Sequence, residues 1–284
     1  MRLVSRLDVA FDLPLELLQF RFGVFGSNLL GRLVAIFIHG PKDRWLFLGL
    51  RVVFADSGVR GVAVAEWVAL VGLPLGLLRL RRRRLKETLG LGPLPSGSVP
   101  AALLLGLGAL PMAWFAFWIA NVAAPVDPEA ARILGRELVA RDGEELLVLL
   151  ALAAVTPAIC EELLFRGLLL RTLLRRHSPA LAIGASSATF ALLHWTPDGS
   201  ARMAPTLLLG FLLGWAVWRS RSLWMGMLVH GFYNATLLAG AAWSLGPGPA
   251  RPEAPPTAVL LLGIGMLFAG THVLMLRTPT PSRP

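Results

Sequence analysis

Three short stretches hold side chains able to do chemistry together. CEELLFRG carries Glu161, Glu162 and Arg166, ATFALLHW carries Phe190 and His194, and LVHGFYNA carries His230 and Asn234. Residues four apart share a helix face, so Glu162 and Arg166 are placed to pair, whereas Glu161 points about 100° away from Glu162. A carboxylate with no cation on its face can take a proton from water as a general base. Phe190 with His194, and His230 with Asn234, repeat the same spacing, so three helices are able to converge on Glu161.

The background in which these groups sit is apolar. Hydrophobic residues make up 55% of the chain and charged residues only 15%, with a mean hydropathy of +0.66. This composition points to a membrane protein rather than a soluble globular one. Apolar runs at 61–78, 101–124, 146–170, 179–196, 204–218, 222–241 and 257–276 suit helical spans of about 30 Å of hydrocarbon. The expected fold is all-α, a polytopic transmembrane helical bundle of about seven spans. It comprises an integral membrane domain over 61–276 and a core carrying the motifs over 146–241.

Charge orients the spans. The run RLRRRRLK, Arg79 to Lys86, belongs on the cytoplasmic side. Alternation then puts Asp127, Glu129, Glu137, Asp142 and Glu144 outside, together with the Pro-rich GPGPARPEAPP. It returns Arg166, Arg171, Arg175, Arg176, Arg219, Arg221, Arg277 and Arg283 to the cytoplasmic side. The expected location is the cell membrane, multi-pass, with basic loops and C-terminus cytoplasmic. The net charge of +10 follows from this rule, so the lipid bilayer is the expected partner and nucleic acid is not.

Within residues 1–60, NLLGRLVAIFIHG and LFLGLRVVFAD are too short or too interrupted to span and suit interfacial amphipathic segments. Acidic and basic residues interrupt the first apolar stretch, so the spans rather than a cleavable leader are expected to direct the chain to the membrane. A single cysteine, Cys160, rules out an intrachain disulfide and a multi-cysteine metal cluster. No repeat of fixed period is present.

Each polar group has an ordinary explanation when taken alone. The glutamates are able to snorkel toward headgroups near Arg171, His194 to bond a carbonyl near an interface, and His230 with Asn234 to join two helices. Yet a charge at the centre of a membrane helix costs about 2.5 to 3.5 kcal/mol. All three groups in consecutive spans are poorly explained by three separate accidents. Counting from the basic ends puts Glu161 and His230 near mid-depth and His194 about one turn further out. A tilt or a kink at Pro157 would bring them together.

Taken together, the motifs resemble those of the CPBP family of intramembrane proteases, which includes the type II CAAX prenyl endopeptidases and the bacteriocin-processing and immunity relatives. EExxxR reads as Glu161, Glu162 and Arg166, FxxxH as Phe190 and His194, and HxxxN as His230 and Asn234. The resemblance spans about a third of the chain. It implies an intramembrane endopeptidase acting on a membrane-associated protein or peptide, and it names no particular substrate. Carried onto these positions, it implies that Glu161 and His194 activate water, that His230 and Asn234 stabilise the oxyanion, and that Glu162, Arg166 and Phe190 support the site. Glu161, His194 and His230 would also make a zinc set with an open position, although no HExxH occurs, so a divalent metal such as zinc is left open.

Two other readings compete. Cys160 as a nucleophile requires it to aim at the same centre as Glu161, from which it lies about 100° around the helix. A non-catalytic membrane scaffold or a transporter would use the same polar cluster, but the early and late spans show no internal symmetry of the transporter kind.

Overall fold

The computed structural model describes residues 58–80, 82–126, 140, 142–194, 201–243 and 253–278. Apart from 58–60, the expected interfacial segments of residues 1–60 lie outside the described residues. So do the acidic positions Asp127, Glu129 and Glu137, Arg283 and most of the Pro-rich stretch.

The described chain is helical, without strands. In order, its helices are α1 (Gly58–Glu66), α2 (Leu73–Leu80), α3 (Leu85–Leu89), α4 (Val99–Ala123), α5 (Gly143–Leu149), α6 (Thr156–Glu162), α7 (Arg171–Leu174), α8 (Pro179–Leu193), α9 (Met203–Ser220), α10 (Leu223–Trp243) and α11 (Thr257–Arg277). Wider π-helical turns join α1 to α2 through Trp67–Gly72, α5 to α6 through Leu150–Val155, and α6 to α7 through Leu163–Leu170.

Local chemistry sets several boundaries. The Asp142 carboxylate accepts from the Glu145 N–H at 2.8 Å and starts α5, and acidic Glu144 and Glu145 complement the positive end of the helix. Ser178 caps α8, with Pro179 in its first turn. Gly90 closes α3 at a φ of 71°, in the left-handed region that favours glycine. Pro157 brings no N–H, and its ring crowds the carbonyl one turn before it. Just ahead of it, the Thr156 N–H bonds the Ala151 carbonyl five residues back. Glu161 and Glu162 therefore lie on a short α-helical piece between two π-helical turns, a kind of irregularity that often accompanies function.

All seven expected spans coincide with helical runs. Four of these, Val59–Leu80, Val99–Ala123, Gly143–Leu174 and Thr257–Arg277, are long and apolar enough to cross a membrane. Helix α8 is shorter than the apolar run 179–196 suggested: it stops at Leu193, and His194 follows at φ −92° and ψ 4°. Its 15 residues reach about 22 Å, less than the hydrocarbon thickness of about 30 Å.

Helix α4 packs against α9, α10 and α11, and α10 also packs against α6 and the π-helical turn before it. Leu105, Leu213, Met225 and Val229 are fully buried at these contacts. The crossing of α4 with α11 is close: a Cβ added to Gly108 would stand 2.8 Å from the Gly263 carbonyl oxygen. Small residues permit such approach between apolar helices. Outward, Phe268 is 74% exposed and Leu276 71%, apolar surface that suits lipid.

Candidate active site

The buried ion pair forms first, from local geometry. Arg166 lies one turn beyond Glu162, and its Nη1 donates to Glu162 Oε1 at 2.7 Å with both side chains excluded from solvent. Its Nη2 donates to the Gly210 carbonyl of α9 at 3.1 Å. The guanidinium also lies over the Phe190 ring, 4.4 Å from its centroid, a cation–π contact that strengthens when water is excluded. A charge at this depth persists only with such partners. Two atoms of the pair, Glu162 Oε2 and Arg166 Nε, have no hydrogen-bond partner.

Phe190 is the hub of the cluster. Its ring centroid is 4.9 Å from that of His194 and 5.9 Å from that of His230, edge to face in both cases. Phe165 packs on it at 5.1 Å, and Ser186 donates to the Phe165 carbonyl at 3.1 Å. One aromatic ring from α8 thus touches the arginine of the ion pair and both imidazoles.

The two imidazoles face Glu161. His194 Nε2 is 3.8 Å from Glu161 Oε1 and His230 Nε2 is 3.8 Å from Glu161 Oε2. The opposite nitrogen of each ring is engaged elsewhere, His194 Nδ1 with the Phe190 carbonyl at 3.0 Å and His230 Nδ1 with Glu162 Oε1 at 3.3 Å. A carbonyl and an ionised carboxylate only accept, so each Nδ1 carries a hydrogen, and Nε2 is the ring atom that faces Glu161. At 3.8 Å these contacts are too long for a direct hydrogen bond. A carboxylate and two imidazoles are metal-type donors, but among the described residues no three His, Cys, Asp or Glu are grouped so as to hold a metal ion.

Burial gives the cluster a direction. The Glu161 and His230 side chains are 7% and 4% exposed, whereas His194 is 30% exposed. Of the three, His194 at the end of α8 is the most exposed. The depth mismatch expected for His194 does not keep it from Glu161.

Asn234 is half-buried on α10, one turn beyond His230. Cys160 is fully buried against Leu70 and Val71, away from the imidazoles, as its angular offset from Glu161 suggests. Sequence reasoning missed the Gly210 carbonyl, Ser186 and Phe165. A backbone acceptor leaves no mark in residue types, whereas Phe165, inside the first motif, was legible as a bulky neighbour of Arg166.

No curated protein and no solved structure matches the chain. Residues 143–236 match the family model described as Type II CAAX prenyl endopeptidase Rce1-like. This stretch holds every residue of the cluster, and the match is consistent with a CPBP-family intramembrane protease.

Proposed function

We propose that the chain is an intramembrane endopeptidase that hydrolyses a peptide bond of a membrane-associated protein with water activated by Glu161. The observation that carries this reading is the approach of one carboxylate to two imidazole Nε2 atoms, 3.8 Å from each, with His194 the most exposed of the three. Glu161 takes a proton from a water held between it and His194 Nε2, and the hydroxide attacks the peptide carbonyl. The proton then passes from Glu161 to the leaving amine. His230 and Asn234, one turn apart on α10, stabilise the oxyanion that develops. The Glu162–Arg166 pair and Phe190 hold the rings in place. A divalent ion held by Glu161, His194 and His230 would supply a more acidic water.

The chain reads as a multi-pass membrane protein with its basic connections on the cytoplasmic side. In support, Arg171 reaches the carbonyls of Glu87 and Arg221, which gathers three basic segments at one end of the bundle. Cleavage near that surface is the corresponding expectation, with prenylated C-terminal peptides the first substrates to try.

The test compares wild type with Glu161→Gln, both purified in detergent and shown to melt alike, on a panel of membrane-tethered peptides. Cleavage by the wild type and its loss in the variant support the reading; equal cleavage by both sinks the base assignment. Chelation of the same wild-type preparation separates the two water-activating arrangements. Loss restored by zinc would assign a metal-bound water, and retention would assign a water held by side chains.

A further inference from the structure

We infer that Gly226, outside all three motifs, is a positioning residue of the hydrolytic centre; the inference rests on the endopeptidase reading. Gly226 lies in α10, one turn before His230, and is buried. Its φ is not positive, so the helix itself would accept any ordinary residue. Space is what calls for glycine. A Cβ there would stand 2.6 Å from Glu162 Oε2 and 2.6 Å from Val217 Cγ2.

The contact with Glu162 matters because that carboxylate is held unevenly. Oε1 accepts from Arg166 Nη1 at 2.7 Å and from His230 Nδ1 at 3.3 Å, whereas Oε2 has no hydrogen-bond partner. The free oxygen rests against the bare Cα of Gly226, which is the stop that sets how deep the carboxylate sits. A methyl group there must push Glu162 back or push α10 away. Either movement separates Oε1 from the imidazole carried by that same helix. His230 Nδ1 then loses its acceptor, and Nε2 is no longer fixed toward Glu161. Gly226 thus acts through Glu162 and His230 without touching substrate.

The test uses the full chain in detergent, with two readouts. Gly226→Ala is expected to lower kcat by about 10- to 100-fold, the usual range for groups that orient the side chains touching the reacting atoms, and to leave KM within about two-fold. In substrate-free protein labelled with nitrogen-15 in its histidines, the His230 Nδ1–H signal is expected to move. Val217→Ala alone is expected to keep kcat, and Val217→Ala with Gly226→Ala relieves only the Val217 contact and should not restore it. Glu162→Asp with Gly226→Ala withdraws the carboxylate by one methylene and should perform better than the product of the two single losses. Full recovery in the Val217→Ala double variant, or an unmoved His230 signal in folded Gly226→Ala, would overturn the inference. If Gly226→Ala does not fold, the Val217→Ala double variant carries the same test. Because the spectrum needs no substrate, a moved signal in a chain that cleaves nothing rejects the endopeptidase reading and keeps Gly226 as the seat of Glu162.

Discussion

Arginine does different work in two regions of this molecule. In the interior cluster, Arg166 is fully buried, bonded to a carboxylate at 2.7 Å and stacked over Phe190. At the basic end of the bundle, arginines bind the carbonyls of chain ends and turns instead. Arg219 Nη2 donates to the Thr278 carbonyl at 2.8 Å and to that of Met275 at 3.2 Å, where α11 ends, and Arg171 reaches Arg221 and Glu87 at 3.4 and 3.5 Å. Carbonyl dipoles at the negative end of a helix attract a cation, and the cation sealed beside Phe190 has a carboxylate as counter-charge. The same residue type therefore holds the interior cluster together in one place and closes the bundle in the other.

The comparison can be broken most sharply at Arg166. Arg166→Met leaves Glu162 as an uncompensated buried charge and is expected to cost about 3 to 5 kcal/mol of stability in denaturant unfolding, with cleavage lost. Combining it with Glu162→Leu should recover much of the stability and none of the activity. Glu161→Gln sharpens the contrast between neighbouring carboxylates: activity should fall by about 100- to 10,000-fold with little change in melting. Arg219→Met removes buried bonds at the end of α11 and should cost about 2 kcal/mol with kcat unchanged. The smallest effect is expected for Arg171→Met, about 0.5 kcal/mol, because its bonds are long and partly solvated. A larger loss there than at Arg219 would contradict the division between interior and rim.

Much of the fold is legible in the sequence. Uninterrupted apolar runs locate helices because a bilayer leaves the backbone no other way to satisfy its polar groups, and all seven runs coincide with helical segments. The i,i+4 spacing of Glu162 with Arg166 was a local fact, and the ion pair follows it. The end of α8 was less legible, since Leu193, His194 and the residue after it continue the apolar run that ought to carry a helix onward. The three π-helical turns had no signal beyond Pro157, because a five-residue backbone register depends on packing against neighbouring helices more than on residue type.

What the sequence determined by itself was local: which segments are helical, which side chains share a face, and which of two adjacent glutamates is paired. Tertiary structure decided what no spacing encodes. It brought Glu161 of α6 to within 3.8 Å of imidazoles from α8 and α10, set Phe190 against both, supplied the Gly210 carbonyl to Arg166, and pressed Gly226 against the free oxygen of Glu162. The physical reason is one of range. Helical periodicity fixes directions over one or two turns, whereas distances between helices come from the close packing of side chains far apart in the chain.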